Sequence, residues 1–152
     1  MTNELNQDFL ADYDERVIAL AQHLDINLEP DFSDVDEEAT EEEQKEQRAE
    51  AIKEVTDELD SIVEGYDDNM FSYYSGSYYV LTDSEADDKE DQQLNFYIDE
   101  CLEIPDDIRP YFDDEKWKRD AGMDGRGHII STYDGCEYEE EVNNTTYYIY
   151  RV

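Results

Sequence analysis

Apolar residues recur at three- and four-residue steps through Leu5, Phe9, Tyr13, Val17, Leu20 and Leu24, a spacing that predicts a first helix over about 5–24. Asp8, Asp12, Asp14, Glu15 and Asp25 occupy other positions and are expected to face water. Periodicity then stops until about residue 39, around Pro30, and this stretch reads as a loop. Thr40 followed by Glu43 is a capping-box signature opening a second helix, expected to end at Gly65. Its apolar stripe, Ile52, Val55, Leu59, Ile62 and Val63, occupies only the second half, so the acidic first turns are expected to project from the body.

Residues 70–81, with Tyr73, Tyr74, Tyr78, Tyr79 and Val80 around Ser75-Gly76, read as a β-hairpin. Thr82 with Glu85 repeats the capping signature and predicts a helix to about Cys101 or Leu102, burying Leu94, Tyr97, Ile98, Cys101 and Leu102. Beyond Pro105 and Pro110, Asp113 should cap two turns of helix through Trp117 and Arg119. Asp134-Gly135 and Asn143-Asn144 accept positive φ and predict an antiparallel meander with strands near 128–133, 136–142 and 145–151. The fold class is therefore α+β: N-terminal acidic helices packed on a small antiparallel β-sheet with a C-terminal β-meander. One domain is expected over 1–152, with an acidic helical part to about residue 65 and an α+β part from about 66.

Composition changes the picture through charge. Of 152 residues 45 are Asp or Glu and 11 Lys or Arg, a net charge of -34, against a usual magnitude of about 2 to 8 for a small domain. Such a chain repels nucleic acid and anionic membranes, so neither is expected as a direct partner. Disorder would follow from the charge alone, but 13 Tyr, 5 Phe and one Trp supply a core. No run of about 18 apolar residues and no signal-peptide pattern is present, which points to the cytoplasm. The charge is uneven: residues 1–64 carry 22 acids against 4 bases, 65–108 carry 13 against 1, and 109–152 carry 10 against 6. Halophilic acidity, the bland reading, should be spread evenly.

Chemistry-bearing motifs are weak. There is no Walker loop, Rossmann glycine pattern, HExxH or nucleophile elbow, and a calcium loop started at Asp34 puts Ala39 and Lys45 at the positions of its essential Gly and Glu. Cys101, Cys136, His23 and His128 lack the short local spacing of a structural zinc site, and half-buried reduced cysteines are expected. The sharpest local feature is Met123-Asp124-Gly125-Arg126-Gly127-His128. It reads either as an anion-binding corner or, more simply, as a turn entering a strand with Arg126 paired to an acid and His128 partly buried. Neither a catalytic residue nor a metal or cofactor is expected.

Tyr78-Tyr79-Val80-Leu81-Thr82-Asp83 with Glu85-Ala86-Asp87, Ile108-Arg109-Pro110-Tyr111-Phe112, Trp117-Lys118-Arg119-Asp120, Asp124-Gly125-Arg126-Gly127-His128 and Tyr148-Ile149-Tyr150-Arg151 together resemble a family of small acidic bacteriophage proteins of unassigned function, over about residues 78–152. The resemblance implies a phage origin and brings no catalytic residue with it.

DNA carries one charge per ~1.7 Å of axis, so the surplus matches roughly 58 Å, or about 17 base pairs. Acids three or four residues apart on a helix lie about 5 to 6 Å from one another, comparable to phosphates along a strand. The expected function is DNA mimicry that inhibits a host DNA-binding defence protein, such as a restriction, CRISPR or other nuclease complex, as phage antirestriction and anti-CRISPR proteins of this type do. The expected binding acids are Glu41, Glu42, Glu43, Glu46, Glu50, Glu54, Asp57 and Glu58 of the second helix, with Asp83, Glu85, Asp87 and Asp88. The alternative is a phage regulator that binds a basic host protein without imitating DNA. The oligomeric state, monomer or homodimer, is open at this level.

Overall fold

The computed structural model describes residues 8–152. The order is a 3-10 turn Asp8–Asp12, helix α1 Glu15–His23, helix α2 Glu41–Asp60, strands β1 Ile62–Glu64, β2 Met70–Tyr73 and β3 Gly76–Leu81, helix α3 Asp83–Phe96 running into a π-helical turn Tyr97–Cys101, helix α4 Asp114–Ala121, the short helix α5 Arg126–Ile130, and strands β4 Tyr138–Val142 and β5 Thr145–Arg151. The strands form one antiparallel sheet in the order β1-β2-β3-β5-β4. The α+β class holds.

Strand alternation sorts the core into two layers. Phe71, Tyr78, Val80, Tyr147 and Ile149 point to one face, where they meet Ile18, Ala19, Leu20 and Ala21 of α1 and Val55 and Leu59 of α2. Met70, Tyr79, Leu81 and Tyr150 point to the other, against Ala86 of α3 and Ile130 of α5. Helices therefore cover both sides of the sheet. Fully buried Ala19 and Ala21 let α1 approach closely, and Tyr150, at 0 % exposure, is the largest side chain completely enclosed.

The boundaries differ from the sequence expectation in three places. The first helix is broken: Asp14 is extended and its carboxylate accepts the Arg16 N–H at 2.9 Å, so it caps α1, while residues 1–7 lie outside the described residues. The second helix stops at Asp60, because β-branched Ile62 and Val63 pair with Tyr73 and Ser72 instead of extending it. At Thr40 only the hydroxyl half of the capping box forms, whereas at Thr82 both halves do. The strand expected at 128–133 is the helix α5 and its exit.

There Gly125 has φ 97°, and Gly127 lies against the backbone of Cys136 and Glu137, 2.7 Å from where a Cβ would stand. A turn of helix is the way to seat Ile130 in the core. Ser131 then closes the segment by donating to the Arg151 carbonyl at 2.6 Å. Tyr97 and Cys101, expected inside, are exposed: the π turn rotates this face so that Leu94 and Ile98 are the residues buried. Cys136 is exposed as well, and His128 lies on the surface. The Asn143-Asn144 turn, with φ 49° and 68°, is as expected.

One side chain ties the two layers together. Arg16 on α1 donates to both Glu85 oxygens, at 2.7 and 3.0 Å, and to the Val80 carbonyl at 2.8 Å, while Glu85 also accepts the Thr82 N–H at 2.8 Å to complete the α3 cap. Replacing Arg16 with Leu should cost about 2 kcal/mol in the urea unfolding free energy, because a part-buried carboxylate loses its cation. Arg48→Leu on the outer side of α2 should stay within about 0.5 kcal/mol of the parent.

Candidate partner-binding surface

With four times as many carboxylates as cations, the binding surface is defined by which acids are already used. The cations serve mainly as staples. Lys89 reaches Asp67 at 3.0 Å, Lys118 reaches Asp91 at 2.8 Å, and Arg109 grips Asp114 at 2.7 and 2.9 Å. Arg126 binds Asp83 at 2.8 Å, Asp87 at 3.0 Å and Glu137 at 2.9 Å, with its guanidinium 4.7 Å from the Tyr148 ring centroid. Burial pulls Arg126 down, but its bonds to Asp83 and Glu137 outweigh that and hold it above its ordinary value. Its Nε and Nη1 already serve three carboxylates, which supports the simpler reading of Arg126 as an acid's partner over that of an anion-binding corner.

Tyrosine supplies further donors. Phenol hydroxyls donate from Tyr13 to Asp60 (2.9 Å), Tyr79 to Asp67 (2.6 Å), Tyr138 to Asp134 (3.1 Å) and Tyr147 to Glu15 (2.8 Å), and likewise from Tyr73 to Glu58 and Tyr150 to Glu137. All but the local Tyr138–Asp134 bond join two segments of the fold. Asp67 is held down at about 2, first by the Tyr79 hydroxyl and then by Lys89. Burial raises Glu85, but Arg16 and the Thr82 amide bring it below its ordinary value. In return the phenols move up: Tyr73 to about 12, chiefly through Glu58, and Tyr147 to about 12 through burial and then Glu15.

The twelve expected binding acids thus divide. Glu41, Glu42, Glu43, Glu46, Glu50 and Glu54 of α2 are exposed, and among the described residues their side chains take part in no ion pair or hydrogen bond. Asp57 pairs with Lys53 at 2.9 Å on the surface, and Glu58 turns inward to Tyr73. On α3, Asp83 and Asp87 hold Arg126 and Glu85 holds Arg16, which leaves Asp88 exposed without such a partner among the described residues. Because α2 and α3 cover opposite faces of the sheet, their acids do not form one surface.

Glu42, Glu46, Glu50 and Glu54 stand at four-residue intervals along α2, a row with a step of ~6 Å. Lys45 and Arg48 lie to one side of it. The acidic half of the helix is fixed by its own loop instead of the sheet. Gln44 donates to the carbonyls of Asp36, Glu37 and Ala39 at 3.0 to 3.3 Å, and Gln47 accepts the Asp36 N–H at 2.8 Å. Sequence reading missed these two glutamines; two neutral side chains three residues apart on one face of an acidic helix were the available signal.

Other candidates carry less. A cleft of about 360 Å³ between α3, α4 and α5 is lined by Leu94, Tyr97, Trp117, His128 and Ile129, with Tyr97 and Trp117 nearly parallel at 5.6 Å. Its lining carries no carboxylate. His23 packs on Tyr138 at 4.6 Å, and among the described residues no group of three or more His, Cys, Asp or Glu is placed to hold a metal. No helix of the described residues is long and apolar enough to cross a membrane. No family model, curated protein or solved structure matches the chain.

The paired groups fix how stability depends on pH. Asp67 and Glu85 are depressed in the fold, so their contribution is complete above about pH 5 and is lost as pH falls through their folded values. Tyr73 and Tyr147 are raised, so theirs is complete below their ordinary value of 10.0 and is lost as pH rises towards about 12. Urea midpoints should be highest from about pH 7 to 9 and fall on both sides, the acid side beginning with His23, whose burial lowers it so that the fold loses stability as pH drops through its ordinary value of 6.5. The Tyr73→Phe, Tyr147→Phe double variant should be less stable at pH 7 and show a shallower alkaline fall.

Proposed function

We propose that the protein is a DNA mimic whose α2 carboxylates occupy the DNA-binding groove of a host defence protein. The observation that carries this reading is the unneutralised row on α2. Like charges at four-residue spacing destabilise a helix by about 0.2–0.5 kcal/mol per pair, and the fold leaves Glu42, Glu46, Glu50 and Glu54 with that repulsion while pairing acids elsewhere. A basic partner removes the repulsion on binding. Of the nine acids on the helix, ~30 Å long, Glu58 and Asp60 are bound to tyrosines and Asp57 to Lys53, which leaves six; one DNA strand places a phosphate every ~3.4 Å of axis, or about nine over that length. The unpaired acids thus carry about two thirds of a single strand's charge density along a groove, with Glu41 and Glu43 beside the row.

On this reading the α3 acids contribute differently from the sequence expectation. Asp83, Glu85 and Asp87 act through the fold, and Asp88 lies on the far side of the sheet. The reading does not require the protein to touch nucleic acid or to turn over a substrate.

The test is capture of DNA-binding proteins from a bacterial lysate on the immobilised protein, compared with the Glu42→Gln, Glu46→Gln, Glu50→Gln, Glu54→Gln variant. A restriction, CRISPR or other nuclease complex should be retained, released by excess duplex DNA, and bound with a steep inverse dependence on salt. The fourfold variant should keep its helix by circular dichroism, lose at least tenfold in affinity and reduce the salt slope by roughly one per lost contact. Retention that competitor DNA leaves intact, or unchanged affinity in the variant, would replace mimicry with a regulator that reads shape.

A further inference from the structure

The strand β4, Tyr138–Val142, is an edge of the sheet and among the described residues pairs only with β5. The two-residue turn Asn143-Asn144 sets Val142 opposite Thr145, so Val142, Glu140 and Tyr138 direct their backbone groups to β5. Glu139 and Glu141 then direct their N–H and C=O groups outward. Neither pair of groups meets a hydrogen-bond partner among the described residues. Open edges are usually blunted by shortness, proline, lysine or a bulge. The other edge, β1, is three residues long. β4 has five residues in unbroken register with neither Pro nor Lys, and its protection consists of three consecutive glutamates.

We infer that the β4 edge receives an extended, basic segment of a partner protein, which adds a sixth strand to the sheet. Charge decides the occupant. The exposed side chains of Glu139 and Glu141 share one face, and an added strand places its own alternate residues about 4.5–5.5 Å from them. Lys or Arg there forms cross-strand pairs, while the main chain bonds to the outward groups of Glu139 and Glu141. A second copy meets repulsion instead, because antiparallel pairing of two β4 strands sets glutamate against glutamate. This surface lies on the sheet edge and is independent of the α2 row, so it stands whether or not mimicry does.

Amide hydrogen exchange of the full-length protein, read residue by residue by NMR, tests it with two synthetic peptides, one alternating Lys with Val and one alternating Glu with Val. The Lys-Val peptide should slow exchange at Glu139 and Glu141 at least tenfold, and the Glu-Val peptide should not. In the Glu139→Lys, Glu141→Lys variant, whose changes are on the surface, the preference should reverse. Equal protection by both peptides, binding without protection at these two amides, or a variant that still prefers Lys-Val would overturn the inference. Protection of the same amides in peptide-free protein that sediments as a dimer would assign the edge to a second copy and overturn it too.

Discussion

A shortage of positive charge governs this structure. With 45 carboxylates and 11 Lys or Arg, ion pairs cannot serve every acid that the fold brings near its sheet. A carboxylate taken from water without a donor is costly, and tyrosine offers a donor that carries no charge of its own. Tyr13, Tyr73, Tyr79, Tyr138, Tyr147 and Tyr150 each give a hydroxyl to a carboxylate, and all of their rings but that of exposed Tyr138 fill or border the core. One residue type therefore does two jobs, apolar packing and acid satisfaction. Two cations stand where several acceptors converge, Arg126 with three carboxylates and Arg16 between the layers.

This division explains how the surface and the fold coexist. Several acids that reach from one element to another are bound to phenols or cations and act as joints: Glu58 to β2, Glu15 to β5, Asp67 to β3, Glu85 to α1. Those on the outer side of α2 have no such duty. The helix there is held by Gln44 and Gln47 on the loop at 36–39, a set of neutral bonds that leaves the charge of the row intact. A partner's cations would meet a surface already ordered, with little conformational cost to pay on binding.

Much of the framework was legible in the sequence, for reasons that can be named. Thr82 with Glu85, Thr40, Asp113 and Asn143-Asn144 are local signals whose geometry depends on few distant contacts, and the elements they start or join are where they were expected. What failed depended on tertiary context. Ile129 and Ile130 read as strand, but Gly127 packed on the 136–137 backbone makes a helical turn the fit. Ile62 and Val63 continued a helical stripe until β2 offered them a ladder. The α2 acids were legible as a solvent face, whereas nothing in the spacing of Asp83, Glu85 and Asp87 announced Arg126 and Arg16, which come from 39 or more residues away. Tyrosines read as core and strand residues; their role as carboxylate donors needs the third dimension.

The claim that phenols stand in for cations is tested most directly by a double-mutant cycle on Tyr147 and Glu15, using Tyr147→Phe and Glu15→Gln with unfolding free energies measured in urea at pH 7. If the hydroxyl serves the carboxylate, the two changes should be strongly coupled, by about 1 kcal/mol or more, because removing the phenol matters much less once the charge is gone. Additive effects of the two substitutions would show that Tyr147 contributes only its ring, and would contradict the account.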